Sequence, residues 1–527
     1  MNRIFAILLI SILNIVSVWA DEKTESQPLE LPSFYIEGKD PINVQSGSKE
    51  FPDNRLTLSK MELDSLNSLE KQKSLLLPTK AFTSNIETIS INKGFLRGEF
   101  GRYLSPKVDF GYSLHLGEAK VLLNAGAEYS GGHIDNSDYS SFNIKLTNDY
   151  IAPSKFWIFG GSRTFTNIKF SNNNFKLYAD TLAPARSLIN FDLNLGSEGS
   201  ANGYNFSTGA GFNTAMISQS KHDLSNINID GHLKIWTKYQ DYIVGGNANV
   251  RFGTFKTGIH FTQFNGIFNF KIDSNISFNN DLGIQLAGNT LGEEQFGFLF
   301  NSAMNYTINK DFTFKAILSN GLENNSLDYL LKYNPYINDT LNMIFGNDFK
   351  IKTIAYYHPD EKISIGAGLF FGLNSNTPYF VYNNDGSFLT NYAETTRFGF
   401  TLEGNWTPTE NDAILLNFIY NYKTLSSNSN IMPNYSPLNL YLNYSRKLIE
   451  NLNGKFGIKY VGEKFGDIDN KMSINGFIDI NFGFEYKIND KLEAYLRVEN
   501  LLNSDVYYLD RYRQRGLFGA LGINLIF

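Results

Sequence analysis

The feature that most restricts the fold of this chain is an alternation of apolar and polar residues from about Thr88 to Phe527. Successive side chains of a β-strand point to opposite faces, so a period of two predicts strands with one apolar and one polar face. One such stretch alternates Leu492, Ala494, Leu496 and Val498 with Glu493, Tyr495, Arg497 and Glu499. Past the first twenty residues, no apolar run approaches the roughly 18 residues that a membrane helix needs. The sequence therefore predicts an all-β fold that would cross a membrane only with strands.

Aromatic residues stand a few positions before a series of short polar turns. The turns are Ser105-Pro106-Lys107, Pro153-Ser154, Asn309-Lys310-Asp311, Pro359-Asp360-Glu361, Thr407-Pro408-Thr409, Glu450-Asn451-Leu452-Asn453 and Asn489-Asp490. The aromatic residues are, in the same order, Tyr103, Tyr150, Tyr306, Tyr357, Trp406, Tyr444 and Tyr486. Rings at one height above one set of turns are typical of the interfacial girdle of a membrane barrel. We predict that these residues form the periplasmic aromatic girdle, which a soluble sandwich or propeller would not need.

The spacing of the girdle residues predicts the number of strands. The steps from Tyr306 to Tyr486 are 51, 49, 38 and 42 residues. Each step should hold two strands of about ten residues, one short turn and one longer loop. A region of about 440 residues then gives a transmembrane antiparallel β-barrel of about 20 to 22 strands. The longer, external connections are expected at residues 171–187, 320–340, 374–392, 423–436 and 503–515.

The composition excludes several classes of protein. Lys plus Arg is 46 and Asp plus Glu is 52, a net charge of -6 that argues against nucleic acid as a partner. The chain has no cysteine, which excludes disulfides, cysteine-ligated metals and thiol nucleophiles. The sequence also lacks the zinc-protease, nucleophile-elbow, Walker and dinucleotide motifs. The histidines, which lack ligand spacing, are His115, His133, His222, His232, His260 and His358. We therefore expect no catalysis, no metal and no cofactor.

The first twenty residues predict export from the cytoplasm. Arg3 is followed by an apolar stretch from Ile4 to Val16 and by small residues up to Ala20. This is the pattern of a secretory signal peptide, with cleavage expected before Asp21. The alternative, a retained membrane anchor, is less favoured because the stretch is short.

Residues 21–87 differ in character from the rest of the chain. They begin with a polar, acidic tract, and further on Ser59 and Glu62 form a capping box ahead of leucines at helical spacing. We predict an extended segment plus one short amphipathic helix, followed by the barrel over residues 88–527. The N-terminal segment is expected in the periplasm or in the lumen, where it would partly occlude the pore.

The last strand indicates where the barrel is inserted. Its apolar face carries Leu517, Leu521, Ile523, Leu525 and Phe527. An alternating strand that ends in Phe resembles the outer-membrane assembly signal of bacterial barrels. We therefore expect the bacterial outer membrane as the location, its lipid as a partner, and barrel-assembly machinery as a partner that recognises Phe527. A soluble secreted all-β protein is less favoured, because it would expose these apolar stripes to water.

Three segments near the C-terminus resemble the last strands of TonB-dependent outer-membrane receptors. The segment Arg497-Val498-Glu499-Asn500-Leu501-Leu502-Asn503, followed by Tyr507, Tyr508 and Gly516, is similar to the end of these barrels. Upstream, Tyr460-Val461-Gly462-Glu463-Lys464 and Met432-Pro433-Asn434-Tyr435-Ser436-Pro437 resemble other segments of their last strands. The resemblance is specific from about residue 430 and architectural between residues 88 and 430.

The resemblance implies a 22-stranded barrel filled by an N-terminal plug, with external loops that capture scarce nutrients such as metal chelates or glycans. It also implies a periplasmic energy-coupling protein as a partner, which could pair with the segment at residues 29–38 by strand addition. This chain departs from the family because residues 21–87 are too short for such a plug and lack its Gly- and Arg-rich signatures.

Two sets of residues are candidates for a solute site. The lumen-lining candidates are Lys455, Lys459, Asp479, Glu485, Glu493, Arg497 and Glu499. They could line a solute path, or they could simply be the mutually neutralising polar residues that any water-filled barrel needs. The loop candidates, which could stack on a sugar or chelate or merely pack the loops, are Tyr379, Tyr382, Tyr507, Tyr508 and Tyr512.

The favoured hypothesis is an outer-membrane β-barrel for solute binding or transport, similar to TonB-dependent receptors but without an evident plug. The alternative is a surface-exposed structural or adhesive barrel, or the barrel half of an uptake assembly whose plug or lid is a separate chain.

Overall fold

The computed structural model describes residues 94–117, 119–156, 159–180, 182–219, 223–324, 326–341 and 344–527. The signal peptide predicted at residues 1–20 lies outside the described residues. So do the segment predicted at residues 21–87 and its short helix. The described residues contain no helix long and apolar enough to span a membrane.

Within the described residues, twenty-two strands form one antiparallel sheet. They are β1 Gly94–Gly101, β2 Ser105–Leu116, β3 Ala119–Ser130, β4 Tyr139–Ile151, β5 Arg163–Lys176, β6 Ala185–Ala201, β7 Tyr204–Gln219, β8 Leu224–Tyr239, β9 Tyr242–Phe255, β10 Thr257–Lys271, β11 Ile276–Asn289, β12 Glu294–Thr307, β13 Phe312–Asn324, β14 Phe345–Asp360, β15 Ile363–Tyr382, β16 Phe388–Trp406, β17 Asp412–Leu425, β18 Leu438–Ile449, β19 Leu452–Val461, β22 Phe477–Asn489, β23 Leu492–Glu499 and β26 Phe518–Ile526. Two small hairpins and one helix lie in the loops: β20 Lys464–Phe465 with β21 Ser473–Ile474, β24 Tyr507–Leu509 with β25 Tyr512–Arg513, and α1 Leu327–Tyr333.

The sheet closes on itself. Each strand pairs with the next one along the barrel, and the first strand pairs with the last in a register that runs from Phe95 opposite Ile526 to Gly101 opposite Ala520. Closure leaves no unpaired edge, which is the condition for placing a sheet in hydrocarbon. The prediction of an antiparallel barrel with about 20 to 22 strands is confirmed, and the number is 22.

The alternation in sequence separates the two faces of the wall. Outward side chains are large and apolar and remain exposed in the isolated chain, as in Phe298 at 67% and Leu369 at 66%. Inward positions of the strands are mostly polar or small, for example Asn301 and Gly368, although some are apolar, such as Leu299 and Phe370. A wall that is apolar outside and polar inside is the pattern of a transmembrane barrel rather than of a soluble one.

The barrel has two different ends. We call the end at which Gly94 and Phe527 lie the terminal end, and the opposite end the loop end; the backbones of Gly94 and Phe527 bond to each other there. Connections at the terminal end are mostly tight turns. One is Asn202-Gly203, where both residues have positive φ, 51° and 84°. Such turns match the twist of paired strands.

The structure corrects one predicted turn. Ser105, Pro106 and Lys107 do not form a turn but begin β2, with Pro106 opposite Phe100 of β1. Proline is tolerated there because the first residues of a strand can lack a ladder donor. The actual turn at residues 102–104 lies at the loop end, so the assignment of Tyr103 to the terminal-end girdle is wrong.

The structure also shortens two predicted long loops. β15 and β16 continue over 20 and 19 residues, past a bulge between Asn374 and Thr377, and leave a connection only at residues 383–387. β5 and β6 likewise extend into the region expected as a loop at residues 171–187. Strand pairing continues there because hydrogen bonds between strands do not require an apolar outer face.

Candidate functional site

Four loops fold inward at the loop end and form what we call the cap. They follow β5, β13, β15 and β23, and they include α1 and the β24–β25 hairpin. Their apolar residues form a single cluster with inward residues of the wall from β4 to β10, among them Phe175, Leu188 and Ile217. Because α1 presents Leu327, Leu330 and Leu331 as its buried residues, its helical spacing supplies one side of this cluster. The cap is therefore packed inside the loop end of the barrel.

Aromatic rings from three of these loops meet at the centre of the cap. Tyr336 and Tyr512 are stacked with their ring centroids 3.6 Å apart, and both are fully buried. Tyr178 meets Tyr512 edge to face at 4.8 Å, and Phe388 lies 5.9 Å from the same ring. Aromatic contacts of this kind add about 0.5–1.5 kcal/mol each beyond their buried area.

A buried arginine of the wall holds the longest loop of the cap. Arg186, at the loop end of β6, donates from Nη1 to the carbonyl oxygens of Pro335 and Ile337 at 3.0 and 2.7 Å. Its Nε and Nη2 donate to Gln219 Oε1 of β7 at 3.0 and 2.7 Å. Arg186 as a whole is only 4% exposed. One side chain thus ties the β13–β14 loop to two neighbouring strands of the wall.

Two ring side chains converge on one carbonyl of the cap. Tyr178 Oη donates to the Arg513 carbonyl oxygen at 2.8 Å, and His133 Nε2 lies 2.8 Å from the same oxygen. His133 comes from the β3–β4 loop, where its Nδ1 is 3.2 Å from Ser137 Oγ. These contacts connect the loops after β3, β5 and β23.

Acid should weaken the contact between the β3–β4 loop and the cap at His133. Burial lowers the pKa of this imidazole below the ordinary 6.5, and the positive charges of Arg515 and Arg513 lower it further, while the hydrogen bond to the Arg513 carbonyl opposes the shift. The unfolded loop therefore takes up a proton more readily than the folded one, so stability is lost as pH falls below about 6.5. We expect faster amide hydrogen exchange of residues 131–138, relative to β9, at pH 5.5 than at pH 7.5. The acid-dependent part should disappear in His133→Gln, and a variant that keeps it would contradict this assignment.

A charged cluster lies on the inner wall below α1. Lys350 of β14 pairs with Glu323 at 3.0 Å and also with Asp348, and Arg397 of β16 reaches Asp348 at 3.5 Å. Lys423 stands opposite Arg397 in the sheet register and is 5.8 Å from the centroid of the Tyr435 ring.

Two tyrosines of α1 border this cluster. Tyr329 and Tyr333 have ring centroids 4.7 Å apart, and burial raises the pKa of Tyr329 well above 10, with Tyr333 and the Glu323 carboxylate adding to the shift. Tyr329 is therefore a neutral phenol. The underside of the cap, formed here by Tyr329 and Tyr333, and the charged cluster on the inner wall therefore form one continuous polar surface.

The lumen-lining candidates fall into two groups in the structure. Arg497 and Glu499 belong to an ionic network across the closing strands, in which Arg497 Nη2 lies 2.5 Å from Glu99 Oε1 and also pairs with Glu499. Arg515 completes the network, 2.8 Å from Glu499 Oε2. These charges neutralise one another and join β1, β23 and the β23–β26 loop.

The other lumen candidates have separate partners. Lys455 and Glu485 form a half-exposed pair at 2.7 Å. Glu493 accepts from Asn524 at 3.1 Å, and buried Asp479 accepts from the Asn500 amide at 2.9 Å. Lys459 has its ammonium 5.4 Å from the Tyr441 ring and 4.6 Å from the Tyr508 ring. All seven face inward, but the structure does not bring them together as one site.

The loop tyrosines differ in access. Tyr512 and Tyr508 are fully buried, at 0% and 2% exposed, so they pack the cap and are not available to a solute in this state. Tyr382 packs against the cap, and its Oη donates to the Ala179 carbonyl at 3.1 Å. Tyr379 and Tyr507 are half-buried. Their roles in binding remain predictions.

Six of the predicted girdle residues lie at the outward face near the terminal end: Tyr150, Tyr306, Tyr357, Trp406, Tyr444 and Tyr486. Trp406 and Tyr486 are about half exposed, at 48% and 47%. Tyr444 bonds Asp412 Oδ1 at 2.7 Å. Their position is that of an interfacial girdle, and their contact with lipid remains a prediction.

Sequence reasoning did not find the residues that hold the cap and the charged wall. They are Glu99, Arg186, Glu323, Asp348, Lys350, Arg397, Lys423 and Arg515. The sequence did contain one signal for them: the two-residue alternation of each strand places its charged residue at a lumen-facing position. No group of three His, Cys, Asp or Glu among the described residues could hold a metal ion.

No family model matches the sequence, and no curated protein matches it. Solved structures do match. The copper transporter OprC has a TM-score of 0.65 at 10% identity and covers 83% of this chain and 80% of its own. The ferric yersiniabactin uptake receptor FyuA from Yersinia pestis has a TM-score of 0.66 at 9% identity and covers 82% and 80%. The FrpB iron transporter from Neisseria meningitidis, in its apoprotein form, has a TM-score of 0.65 at 11% identity and covers 83% and 81%.

These similarities concern the fold. The chain forms a closed barrel of 22 strands whose fold is similar to those of OprC, FyuA and FrpB.

Proposed function

We propose that this protein is an outer-membrane receptor of Gram-negative bacteria that binds a solute at the cell surface and admits it into the barrel. The observation that carries the proposal is the cap. A passive pore needs an open mouth, whereas here four loops pack on the inner wall through a buried aromatic cluster and Arg186. Inward-packed loops suit a gate that opens only when a solute or a partner stabilises another arrangement.

The terminal end faces the periplasm in this proposal, and the girdle residues there meet the inner headgroups. A periplasmic energy-coupling protein would act from that side, because β1 starts there and the predicted extended segment at residues 29–38 precedes it. The barrel-assembly machinery would recognise the strand ending in Phe527. We assign the protein no enzymatic activity.

One observation supports a second candidate function, in which the barrel is one half of an assembly. From Gly94 onward, the described residues form only the wall and its loops, and none of them forms a lumen-filling plug. The barrel could therefore act with a separate plug or lid chain. Copurification of such a chain in fixed stoichiometry from native membranes would favour this version, and recovery of the barrel alone in a transport-competent form would exclude it.

The proposal is tested by comparing solute depletion from a defined medium by cells with and without the gene. We expect at least one solute whose removal depends on the gene and stops when a protonophore dissipates the energy source. Removal that survives the protonophore would indicate a passive pore. If no solute differs between the strains in rich and in nutrient-limited media, the protein is not a transporter.

A further inference from the structure

Charge is distributed unevenly around the inner wall. From β13 to β19, the inward Lys and Arg residues are Lys315, Lys350, Lys352, Arg397, Lys423, Lys447, Lys455 and Lys459. The inward acidic residues of the same strands are Glu323, Asp348 and Glu403. This sector, which we call the basic wall, therefore carries eight inward cations and three inward anions.

The remaining strands carry almost equal numbers of the two signs. Their inward cations are Arg97, Lys107, Lys120, Lys145, Arg163, Lys169, Arg186, Lys234, Lys238, Arg251, Lys271, Lys487 and Arg497. Their inward acids are Glu99, Asp109, Glu128, Asp149, Asp192, Glu198, Asp230, Asp281, Asp479, Glu485, Glu493 and Glu499. The excess of positive charge is thus confined to one side of the lumen, although the whole chain is acidic with a net charge of -6.

The backbone of β15 makes room for the centre of this wall. Its inward positions include Gly366 and Gly372, and a Cβ at Gly372 would lie 2.5 Å from Arg397 Nε, while one at Gly366 would lie 2.7 Å from the Tyr356 ring. The glycines therefore let Arg397 and Tyr356 lie flat across the strand. Arg397 is then level with Lys350 on one side and Lys423 on the other.

We propose that the basic wall is a binding surface for a small solute that carries several oxyanions, either carboxylates or phosphates. Ammonium and guanidinium groups recognise both, because each supplies charge-assisted donors to negatively charged oxygen. A lumen lined with one sign of charge also concentrates the opposite ion by focusing the field. The centre of the basic wall borders α1, where Tyr329 lies near Glu323 and Asp348, so a solute released from the cap would meet this part first. This inference rests on the proposed uptake function, but it concerns binding alone.

The test is equilibrium binding to the full mature protein in an uncharged detergent at low salt. Tricarballylate serves as the carboxylate probe, inorganic pyrophosphate as the phosphate probe, and spermidine as a cation of comparable charge. We expect at least one anion to bind at millimolar concentration or below, with an affinity that falls as salt is raised, and spermidine to bind at least tenfold more weakly. Tighter binding of tricarballylate would identify the oxyanions of the solute as carboxylates, and tighter binding of pyrophosphate would identify them as phosphates.

Two paired variants separate the basic wall from general lumen charge. Lys315→Gln/Lys352→Gln removes two neighbouring lysines of β13 and β14, and Lys145→Gln/Lys169→Gln removes a directly opposed pair of β4 and β5 in the balanced sector. We expect the first to weaken anion binding on the order of tenfold and the second less than twofold. Equal losses, equal binding of spermidine, or no anion binding would overturn the inference. Gene-dependent uptake of an uncharged solute would overturn it while leaving the proposed function intact.

Discussion

Replacing Arg186 with Ala is expected to release the cap while leaving the barrel folded. The change leaves the carbonyl oxygens of Pro335 and Ile337 and the side-chain oxygen of Gln219 without the donor that each has now. A hydrogen bond to a charged group contributes about 1.5–3 kcal/mol, and an orphaned buried acceptor costs about 1–3 kcal/mol. Removing the buried charge also removes its desolvation penalty, so we expect a net loss of about 3 kcal/mol rather than the sum.

This loss should appear locally. The strand ladders do not depend on Arg186, so only the cap loops should open more often, and each 1.4 kcal/mol corresponds to a factor of ten. Amide hydrogen exchange of residues 326–341 should therefore accelerate on the order of 100-fold, with β9 unchanged. The matched control is Arg163→Ala, an exposed pair with Asp149 at the terminal end. It should leave exchange of the cap within experimental error.

Replacing Arg497 with Leu is expected to destabilise the barrel where the first and last strands meet. Arg497 reaches from β23 across the small inward residues Ala520 and Gly522 of β26 to Glu99 of β1. Without it, Glu99 loses its ion pair to Arg497 and Glu499 keeps only the pair to Arg515, while their side chains are only 5% and 12% exposed. Breaking a buried ion pair in this way costs about 3–5 kcal/mol.

The temperature at which the heat-modifiable gel band of the folded barrel disappears should fall by about 4 °C, given the unfolding entropy of a chain this long. The control is Lys455→Leu, which leaves only the half-exposed Glu485 without its partner. This variant should change the same temperature by about 1 °C or less. The double variant Arg497→Leu/Glu99→Gln should recover part of the loss, because it removes one orphaned charge. If the double variant is no more stable than the single one, the ion network does not hold the seam.

The wall of the barrel was predictable because each strand contains its own signal. A period of two is local, and it persists in β22 and β23, where every outward residue is apolar and every inward one except Phe477 is polar or small. The strand number followed from the spacing of girdle residues near tight turns. The girdle assignment of Tyr103 was wrong because both signals are weak there. β1 has only 8 residues in which to show the alternation, and Pro106 is a typical turn residue although it lies at the start of a strand.

The cap was not predictable, because its contacts join residues far apart in the chain. Arg186 bonds carbonyls about 150 residues away, and Tyr512 stacks on Tyr336 from the last loop. No local pattern marks such partners. The loop tyrosines were identified as a group, but the sequence did not distinguish buried Tyr512 from half-buried Tyr507. The basic wall could have been found by listing charges at inward positions, once the strand boundaries were known.

The gated-receptor proposal is tested most directly by asking whether the cap closes the mouth of the barrel. Because the chain has no cysteine, a single introduced thiol reports on one position without background. Ser319→Cys places a thiol on the inner wall below the cap, and Leu182→Cys places one on the cap surface, where the native side chain is 86% exposed. Both would be labelled on intact cells with a bulky, membrane-impermeant maleimide.

We expect rapid labelling at position 182 and protection at position 319, with protection lost when Arg186→Ala is added. Rapid labelling at position 319 with Arg186 in place would mean that the loops leave the lumen open to the outside, and would contradict the gated-receptor interpretation of this barrel.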